Sequence, residues 1–231
     1  CIPTKALLKS AQVFEYLKHA GDYGLSVKEY DKDFDAVVNR SRDVAAGMSK
    51  GVQFLMKKNK IDVLNGHGKI LAGKKVSVTL DDKTEEYSAK NIIIATGARS
   101  RELPSLPQDG EKIIGYRKAM TLPKQPKKLI VVGSGAIGIE FAYFYNAMGT
   151  EVTVVEFQDR IVPVEDEEIS KQLERSFKKS GIKMITSAEV TGVDTSGKGV
   201  KATVKKANGE EILSADVVLS AVGIKTNIEN L

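Results

Sequence analysis

The sequence contains a single cysteine and no long hydrophobic run. One cysteine among 231 residues excludes an internal disulfide, which suits a reducing compartment. No apolar stretch approaches the roughly 20 residues of a membrane span, and the chain shows no signal-peptide pattern. We therefore expect no membrane association, and a location in the bacterial cytoplasm or, in a eukaryote, the mitochondrial matrix.

An excess of charge of one sign is also lacking. The sequence has 35 Lys and Arg against 30 Asp and Glu, a formal net charge of +5. Its basic residues are spread out, in short clusters such as Lys74-Lys75, with no basic stripe interleaved with aromatics, so we expect no nucleic-acid partner. Neither His19 nor His67 has metal-ligating residues at ligand spacing, so we expect no metal site.

A hydrophobic strand at residues 129–132 runs into a glycine-rich turn, a helix and a second strand that ends in an acid, Glu156. In such a turn Gly133 permits the tight bend and Gly135 lets the backbone approach a pyrophosphate. Gly138 lets the helix and the strand pack closely. This order predicts a dinucleotide-binding βαβ unit, and a glycine-rich turn without a ligand is the alternative interpretation.

The acid at the end of the second strand predicts which dinucleotide binds. Amide groups at the helix start face the phosphates, helped by the helix dipole. A carboxylate at Glu156 would accept hydrogen bonds from the adenosine ribose hydroxyls and would repel the extra 2′-phosphate of NADP. We therefore expect NAD(H) rather than NADP(H).

Hydrophobic spacing predicts an alternation of helices and strands. The predicted helices are residues 5–18, 34–58, 136–148 and 166–179. The predicted strands are residues 62–64, 75–80, 91–95, 129–132, 152–155, 183–186, 200–205, 212–213 and 217–222. Asn208-Gly209 predicts a hairpin, and a segment rich in Pro, Gly and charge at residues 101–112 predicts a linker between two domains.

Four segments, residues 1–8, 92–98, 133–140 with Glu156, and 220–223, resemble motifs of one family, the flavin disulfide reductases, in its dihydrolipoamide dehydrogenase branch. Residues 1–8, CIPTKALL, resemble the second half of the redox-active motif, and residues 92–98, IIIATGA, resemble the second flavin-domain motif. Residues 133–140 with Glu156 resemble the NAD motif, and residues 220–223 are similar to the strand that closes the NAD domain. The resemblance covers essentially the whole chain.

This resemblance implies an α/β fold with two domains. Residues 113–231 would form a Rossmann-like NAD-binding domain, a three-layer domain with a parallel sheet and a β-meander. Residues 1–112 would be part of a similar FAD-binding domain. The implied NAD-binding residues are Gly133, Ser134, Gly135, Ala136, Ile137, Gly138, Ile139, Glu140, Glu156, Val190 and Gly223.

The resemblance also implies redox chemistry with two cofactors, FAD and NAD. Cys1 would be the second, flavin-facing cysteine of a redox pair, at a helix start where the dipole and Lys5 favour the thiolate. Lys5 and Glu140 would form an ion pair at the reactive edge of the flavin. The implied FAD-contacting residues are Lys5, Gly66, Gly68, Thr96 and Gly97. From the residues alone, the favoured interpretation is that Cys1 is a small buried hydrophobe, Lys5 a solvated helix residue and Glu140 an acid stabilised by the helix dipole.

The activity implied is the oxidation of dihydrolipoamide to lipoamide with NAD+ as acceptor. The implied partners are lipoyl domains, a second copy in a homodimer and a 2-oxoacid dehydrogenase complex. We expect the chain to be an internal piece of a longer protein and to be inactive by itself. The alternatives are a reductase similar to glutathione or mercuric reductase, a soluble transhydrogenase, or a non-catalytic dinucleotide-binding or redox-sensing module.

The cofactor preference is a measurable expectation. Because Glu156 is expected to bond the ribose hydroxyls, NADH should bind at least about tenfold more tightly than NADPH, a difference of about 1.4 kcal/mol. Fluorescence titration with each nucleotide measures the two dissociation constants. Equal affinities, or tighter binding of NADPH, would remove the argument from Glu156.

Overall fold

The computed structural model describes residues 1–229 and residue 231, and the chain forms two compact units. The larger unit comprises Cys1–Ala45 and Ser100–Gly223, and the smaller comprises Ala46–Arg99 and Ile224–Leu231. The helices are α1 (Ile2–Lys18), α2 (Phe34–Lys58), α3 (Tyr116–Ala119), α4 (Ala136–Ala147) and α5 (Glu167–Lys179). The strands are β1 (His67–Leu71), β2 (Lys75–Leu80), β3 (Lys83–Ser88), β4 (Ala98–Ser100), β5 (Ile113–Ile114), β6 (Lys128–Val132), β7 (Glu151–Val155), β8 (Lys183–Ile185), β9 (Glu189–Asp194), β10 (Val200–Lys206), β11 (Gly209–Ala215), β12 (Val217–Ser220) and β13 (Ile224–Thr226).

The larger unit is built on a five-stranded sheet with the order β5-β12-β6-β7-β8. All neighbouring pairs in this sheet are parallel. Helix α4 connects β6 to β7 and helix α5 connects β7 to β8, as in a doubly wound dinucleotide-binding fold. The predicted α/β class with a parallel sheet is therefore confirmed.

The sheet is buried on both faces, which gives the three layers that were predicted. Leu129 and Val131 of β6 point into one core together with Phe144 and Tyr145 of α4. Ile130, on the opposite face, packs in a second core with residues of the meander. Since both faces are covered, the central strand is a continuous hydrophobic run rather than an alternating one.

The third layer is an antiparallel meander with the order β11-β10-β9. Strands β10 and β11 pair from Val200↔Ala215 to Lys206↔Gly209, so the turn lies at residues 207–208 and confirms the predicted hairpin. Strand β9 was not predicted, because its buried Val190 stands among polar residues and gives little alternation.

The helix predictions are confirmed to within a few residues. Helix α1 begins at Ile2, earlier than predicted, because Pro3 in its first turn has no amide that needs an intrahelical partner. Helix α4 ends before Gly149, whose φ is +90°. Helix α5 begins after Asp166, whose side chain accepts hydrogen bonds from the amides of Glu168 and Ile169.

The smaller unit contains the antiparallel sheet β1-β2-β3 and the two-stranded sheet β13-β4. The predicted strands at residues 62–64 and 91–95 are wrong. A buried strand needs hydrogen-bonded neighbours, and within the described part of the chain no strand pairs with residues 91–95. Ile93 is accordingly 90% exposed. Strand β3 was missed because all six of its residues are exposed and each is charged or carries a hydroxyl group, which gives no hydrophobic alternation.

The predicted linker at residues 101–112 is more ordered than its composition indicates. Leu106 is fully buried in the second core, and the Asp109 side chain accepts hydrogen bonds from the amides of Glu111, Lys112 and Ile113. Helix α1 belongs to the larger unit because Leu7 packs in the core of the parallel sheet. The family's domain boundary at residues 112 and 113 stays a prediction. Among the described residues, no helix has the length and apolar character of a membrane span.

One buried hydroxyl gives a stability test of this core. The Tyr145 hydroxyl, fully buried, donates to the Ala119 carbonyl oxygen at 2.6 Å. Burial raises the pKa of this phenol, so the neutral donor persists at all ordinary pH values. Tyr145→Phe leaves the carbonyl without its partner and should lower the free energy of unfolding by about 1–2 kcal/mol in urea denaturation. Tyr143→Phe is the control and should change it by less than about 0.5 kcal/mol.

Candidate functional site

The glycine-rich turn lies between the end of β6 and the start of α4. The amide of Gly133 donates to the carbonyl oxygen of Val155 at 2.8 Å, which ties the turn to the neighbouring strand β7. Gly133 has a φ of +97°, and a Cβ there would lie 2.5 Å from the carbonyl oxygen of Ala221. Both its backbone conformation and its surroundings therefore require glycine.

The other two glycines have different surroundings. A Cβ on Gly138 would lie 2.0 Å from the carbonyl oxygen of Gly133, so no larger residue fits between helix and turn. A Cβ on Gly135 would have no neighbour within 4 Å among the described residues, and its φ of −65° is accessible to any residue. The space above Gly135 is open to a ligand, which is the requirement for close approach of a pyrophosphate.

The start of α4 offers unpaired backbone donors at this opening. Its N-cap residue is Gly135, and within the described residues no side chain caps the helix. The first amides of a helix have no intrahelical partner, and the helix dipole places partial positive charge there. The first turn of α4 carries no acidic residue, so no side-chain carboxylate there competes with a phosphate for these amides. These features fit a dinucleotide pyrophosphate.

Glu156 lies directly after β7, beside the turn, and is only 7% exposed. Its Oε2 accepts hydrogen bonds from the amide of Ser134 at 2.7 Å and from the hydroxyl of Ser134 at 2.6 Å. Its Oε1 accepts from the amide of Gln158 at 2.8 Å. A carboxylate has about four acceptor sites, so one site on Oε1 stays open, enough for one ribose hydroxyl.

The remaining predicted NAD-binding residues are placed unevenly around the turn. Ala136 is exposed at the helix start, whereas Ile137 and Ile139 pack against the core of the sheet. Gly223 follows β12 with a φ of +118° and is exposed. Val190 is 5% exposed and its side chain belongs to the meander core, so only its backbone is available to a nucleotide.

The predicted ion pair between Lys5 and Glu140 is present. The Lys5 ammonium donates to Glu140 Oε1, joining α1 to α4 within the larger unit. Both side chains keep access to solvent, and exposed pairs of this kind contribute little to stability. Cys1 is exposed rather than buried, and it occupies the N-cap of α1, where its carbonyl oxygen accepts from the amide of Lys5 at 2.9 Å.

The smaller unit holds the other residues expected to contact FAD. Gly66 has a φ of +146°, and a Cβ there would lie 2.7 Å from the carbonyl oxygen of Thr79. Gly68 lies in the edge strand β1 opposite Val78, because residues 67–71 pair with β2. Gly97, exposed, has a φ of +74°.

Sequence reasoning missed the residues that hold the Thr96-Gly97 turn in place. The Asn227 side chain donates to the Thr96 carbonyl oxygen at 3.1 Å, and the Thr96 hydroxyl donates to the Asn227 carbonyl oxygen at 2.5 Å. Arg99 donates to the Asn227 side chain at 2.7 Å and pairs with Glu229 at 2.6 Å. Hydrogen bonds from Arg99 lower the pKa of the Glu229 carboxyl. The sequence feature that could have indicated these contacts is the presence of the polar residues Asn227 and Glu229 just after the short strand β13.

The contrast between two glycines gives a test of the nucleotide site. Gly138→Ala should destabilise the fold by roughly 1–3 kcal/mol, because its Cβ meets backbone. Gly135→Ala should leave the urea midpoint unchanged, yet weaken NADH binding by at least about tenfold, since its Cβ fills the approach to the phosphates. Denaturation and NADH titration on the same samples separate the two effects. Unchanged NADH binding by Gly135→Ala would contradict this placement of the pyrophosphate.

Comparison with known proteins finds that this chain is similar to members of one oxidoreductase family. A family model described as pyridine nucleotide-disulphide oxidoreductase matches residues 1–231. A dihydrolipoyl dehydrogenase of Rhizobium etli is 46% identical over 248 aligned residues, covering 100% of this chain and 52% of the relative. The mitochondrial dihydrolipoyl dehydrogenase of Pisum sativum is 40% identical over 227 aligned residues, covering 96% of this chain and 45% of the relative.

A solved structure agrees with these relatives. The crystal structure of LpdA from Mycobacterium tuberculosis matches the fold with a TM-score of 0.89 at 30% identity, covering 100% of this chain and 50% of that one. The chain thus spans about half the length of the relatives it matches. Because the family model extends over all of its residues, this chain belongs to the pyridine nucleotide-disulphide oxidoreductase family.

Proposed function

We propose that this chain carries the NAD(H) site and one redox sulfur of an NAD-dependent dihydrolipoyl dehydrogenase, which oxidises dihydrolipoamide to lipoamide. The observation that carries the proposal is the buried Glu156 carboxylate beside the open glycine-rich turn, with one acceptor site free. The names of the relatives from Rhizobium etli and Pisum sativum support the substrate.

The residues of the larger unit have separate tasks in binding the nucleotide. The amides at the start of α4 bind the pyrophosphate above Gly135, and Glu156 accepts one adenosine ribose hydroxyl. A 2′-phosphate at that ribose would bring negative charge against a carboxylate that is almost fully buried, so NADP(H) is rejected. The presence of Glu156 therefore also favours an NAD-linked function over that of the NADP-linked reductases of the same family.

Cys1 and Lys5 at the start of α1, together with Glu140 of α4, would take part in electron transfer between the substrate and the flavin. Cys1 at the helix N-terminus is the sulfur facing the flavin, and the dipole of α1 favours its thiolate. The Lys5 ammonium balances negative charge at the same place, and Glu140 holds Lys5 in position through their ion pair. FAD and NAD(H), which this family uses, supply the hydride chemistry when bound.

Flavin contacts by Lys5, Gly66, Gly68, Thr96 and Gly97 form part of this proposal. The backbone of Gly97, with a φ of +74° and no close neighbour on its side-chain side, supports it, because such a position lets backbone approach a ligand closely. The side-chain side of Gly66 is filled by β2, so Gly66 is included on the resemblance alone. The Thr96-Gly97 turn is further ordered by Asn227, which leaves the exposed backbone at Gly97 in a fixed conformation. The division into FAD-binding residues 1–112 and NAD-binding residues 113–231 is proposed on the same basis.

The proposed partners follow from the proposed reaction. Dihydrolipoamide is carried on lipoyl domains of 2-oxoacid dehydrogenase complexes, so these complexes are the proposed assembly, with the enzyme itself a homodimer. The relatives come from a bacterium and from a mitochondrion, which supports a location in the bacterial cytoplasm or the mitochondrial matrix. A binding or redox-sensing module without turnover is the competing function that the following experiment separates.

The proposed function is tested with the protein as its gene encodes it. Cys1→Ser should lower dihydrolipoamide-dependent NADH formation on the order of a thousandfold, because a nucleophilic sulfur is lost. Anaerobic NADH should still bleach the flavin absorbance of this variant, since the nicotinamide site is intact. Lys9→Ala, a change on the exposed side of the same helix, is the control and should keep normal turnover.

Two outcomes would contradict the proposal. Normal turnover by Cys1→Ser would remove the redox role of Cys1. A wild-type protein that binds NADH but forms none from dihydrolipoamide would favour the non-catalytic module. Turnover of glutathione disulfide or mercuric ion with NADPH would instead point to another branch of the family.

A further inference from the structure

A fully buried hydroxyl, that of Ser134, lies in the middle of the glycine-rich turn. Its residue directs two donors at one oxygen of Glu156, the amide at 2.7 Å and the hydroxyl at 2.6 Å. Both bonds join the turn after β6 to the end of the next strand, β7. The dinucleotide fingerprint leaves the position after its first glycine open to any residue, so the pattern alone assigns no task to this hydroxyl.

The direction of the Ser134 hydroxyl is set by a third group. The amide of Val162 donates to Ser134 Oγ at 3.2 Å and to the Ser134 carbonyl oxygen at 3.2 Å. An amide can only donate, so Oγ accepts from Val162 and its single hydrogen is left for Glu156. The hydroxyl is therefore a fixed donor to Oε2 rather than a freely rotating one.

This fixed donor determines which part of Glu156 is available. The two donors of Ser134 fill both acceptor sites of Oε2. The amide of Gln158 takes one site of Oε1 at 2.8 Å, which leaves one acceptor site with one direction. A carboxylate held in this way presents a single pre-oriented acceptor to a ribose, whereas a mobile carboxylate could turn away from a phosphate.

The segment that fixes Ser134 is itself under backbone strain. Val162 has a φ of +41°, a conformation that a β-branched residue rarely adopts. Its amide is held by Ser134, and its carbonyl oxygen accepts from the Ser170 hydroxyl at 3.3 Å. Strained backbone persists where the surrounding bonds over-determine it, and such places cluster at ligand sites.

We propose that Ser134 is a positioning residue for cofactor specificity, whose hydroxyl holds the Glu156 carboxylate in the orientation that accepts the adenosine 2′-hydroxyl and rejects a 2′-phosphate. This inference rests on the proposed NAD(H) function. It assigns to Ser134 a share of the discrimination between NAD(H) and NADP(H), in addition to the share that the charge of Glu156 supplies.

The test uses the full-length protein and two probes that lack nicotinamide, ADP-ribose and 2′-phospho-ADP-ribose, so no hydride transfer interferes. Calorimetric titration gives the ratio of their dissociation constants. Ser134→Ala should reduce the preference for ADP-ribose at least threefold, through tighter binding of the phosphorylated probe, weaker binding of the other, or both. Ser170→Ala is the matched control, because it removes another buried hydroxyl bonded to Val162 and should leave the ratio unchanged.

A double-mutant cycle isolates the route through Glu156. In a Glu156→Gln background, Ser134→Ala should change the ratio by less than its effect in the wild type, because the carboxylate it positions is gone. Should Ser134→Ala fail to fold, Ser134→Cys keeps the size with a weaker donor and should lose part of the preference.

The two proposals fail in different ways. A wild-type protein without preference for ADP-ribose would remove the proposed NAD(H) specificity itself. A wild-type preference that Ser134→Ala and Ser134→Cys both retain would overturn the role of Ser134 alone. An equal loss of preference in Ser170→Ala would also overturn it, since the effect would then come from the strained segment as a whole.

Discussion

The close approach between the glycine-rich turn and helix α4 is the constraint on which the larger unit depends. A side chain on Gly138 would lie 2.0 Å from the carbonyl oxygen of Gly133, so helix and turn meet at a distance only glycine permits. This approach sets the start of α4 at the carboxyl end of β6 and turns its unpaired amides outward. Helix α4 in turn carries Glu140 to Lys5 of α1, so the same helix contacts both the glycine-rich turn and α1.

The parallel register of β6 and β7 adds the second half of the site. Val132 pairs with Val155, which brings the residue after each strand to the same edge of the sheet. Glu156 thereby comes within hydrogen-bonding distance of Ser134 although the two are 22 positions apart in sequence. Because the carboxylate is buried and bonded to backbone amides, the fold sets its orientation before any ligand binds. In the proposed discrimination between NAD(H) and NADP(H), this pre-organised geometry acts together with the negative charge of Glu156.

Much of the larger unit was predictable because its strands and helices are encoded locally. The hydrophobic run of β6, the glycines of the turn and Gly149 after α4 each indicate their local backbone structure directly. The smaller unit was predicted less well. Residues 91–95 have the composition of a buried strand, yet a strand exists only where neighbours supply hydrogen bonds, and Ile93 is exposed. Strands β1 and β3 form through pairing with β2, despite a glycine in the one and charged residues in the other.

The sequence by itself determined the family, through the resemblance of its motifs to known proteins, and the fold class and the glycine-rich turn, through local spacing. Within that turn only Gly133 has a backbone conformation that favours glycine. The sequence also pointed to the pairing of Lys5 with Glu140, through resemblance to known proteins. Tertiary structure alone decided that Glu156 is saturated except at one acceptor site, that Val190 is buried in the meander, and that Asn227 orders the Thr96-Gly97 turn. Each of these depends on contacts between residues distant in the chain, for which spacing along the sequence carries no information.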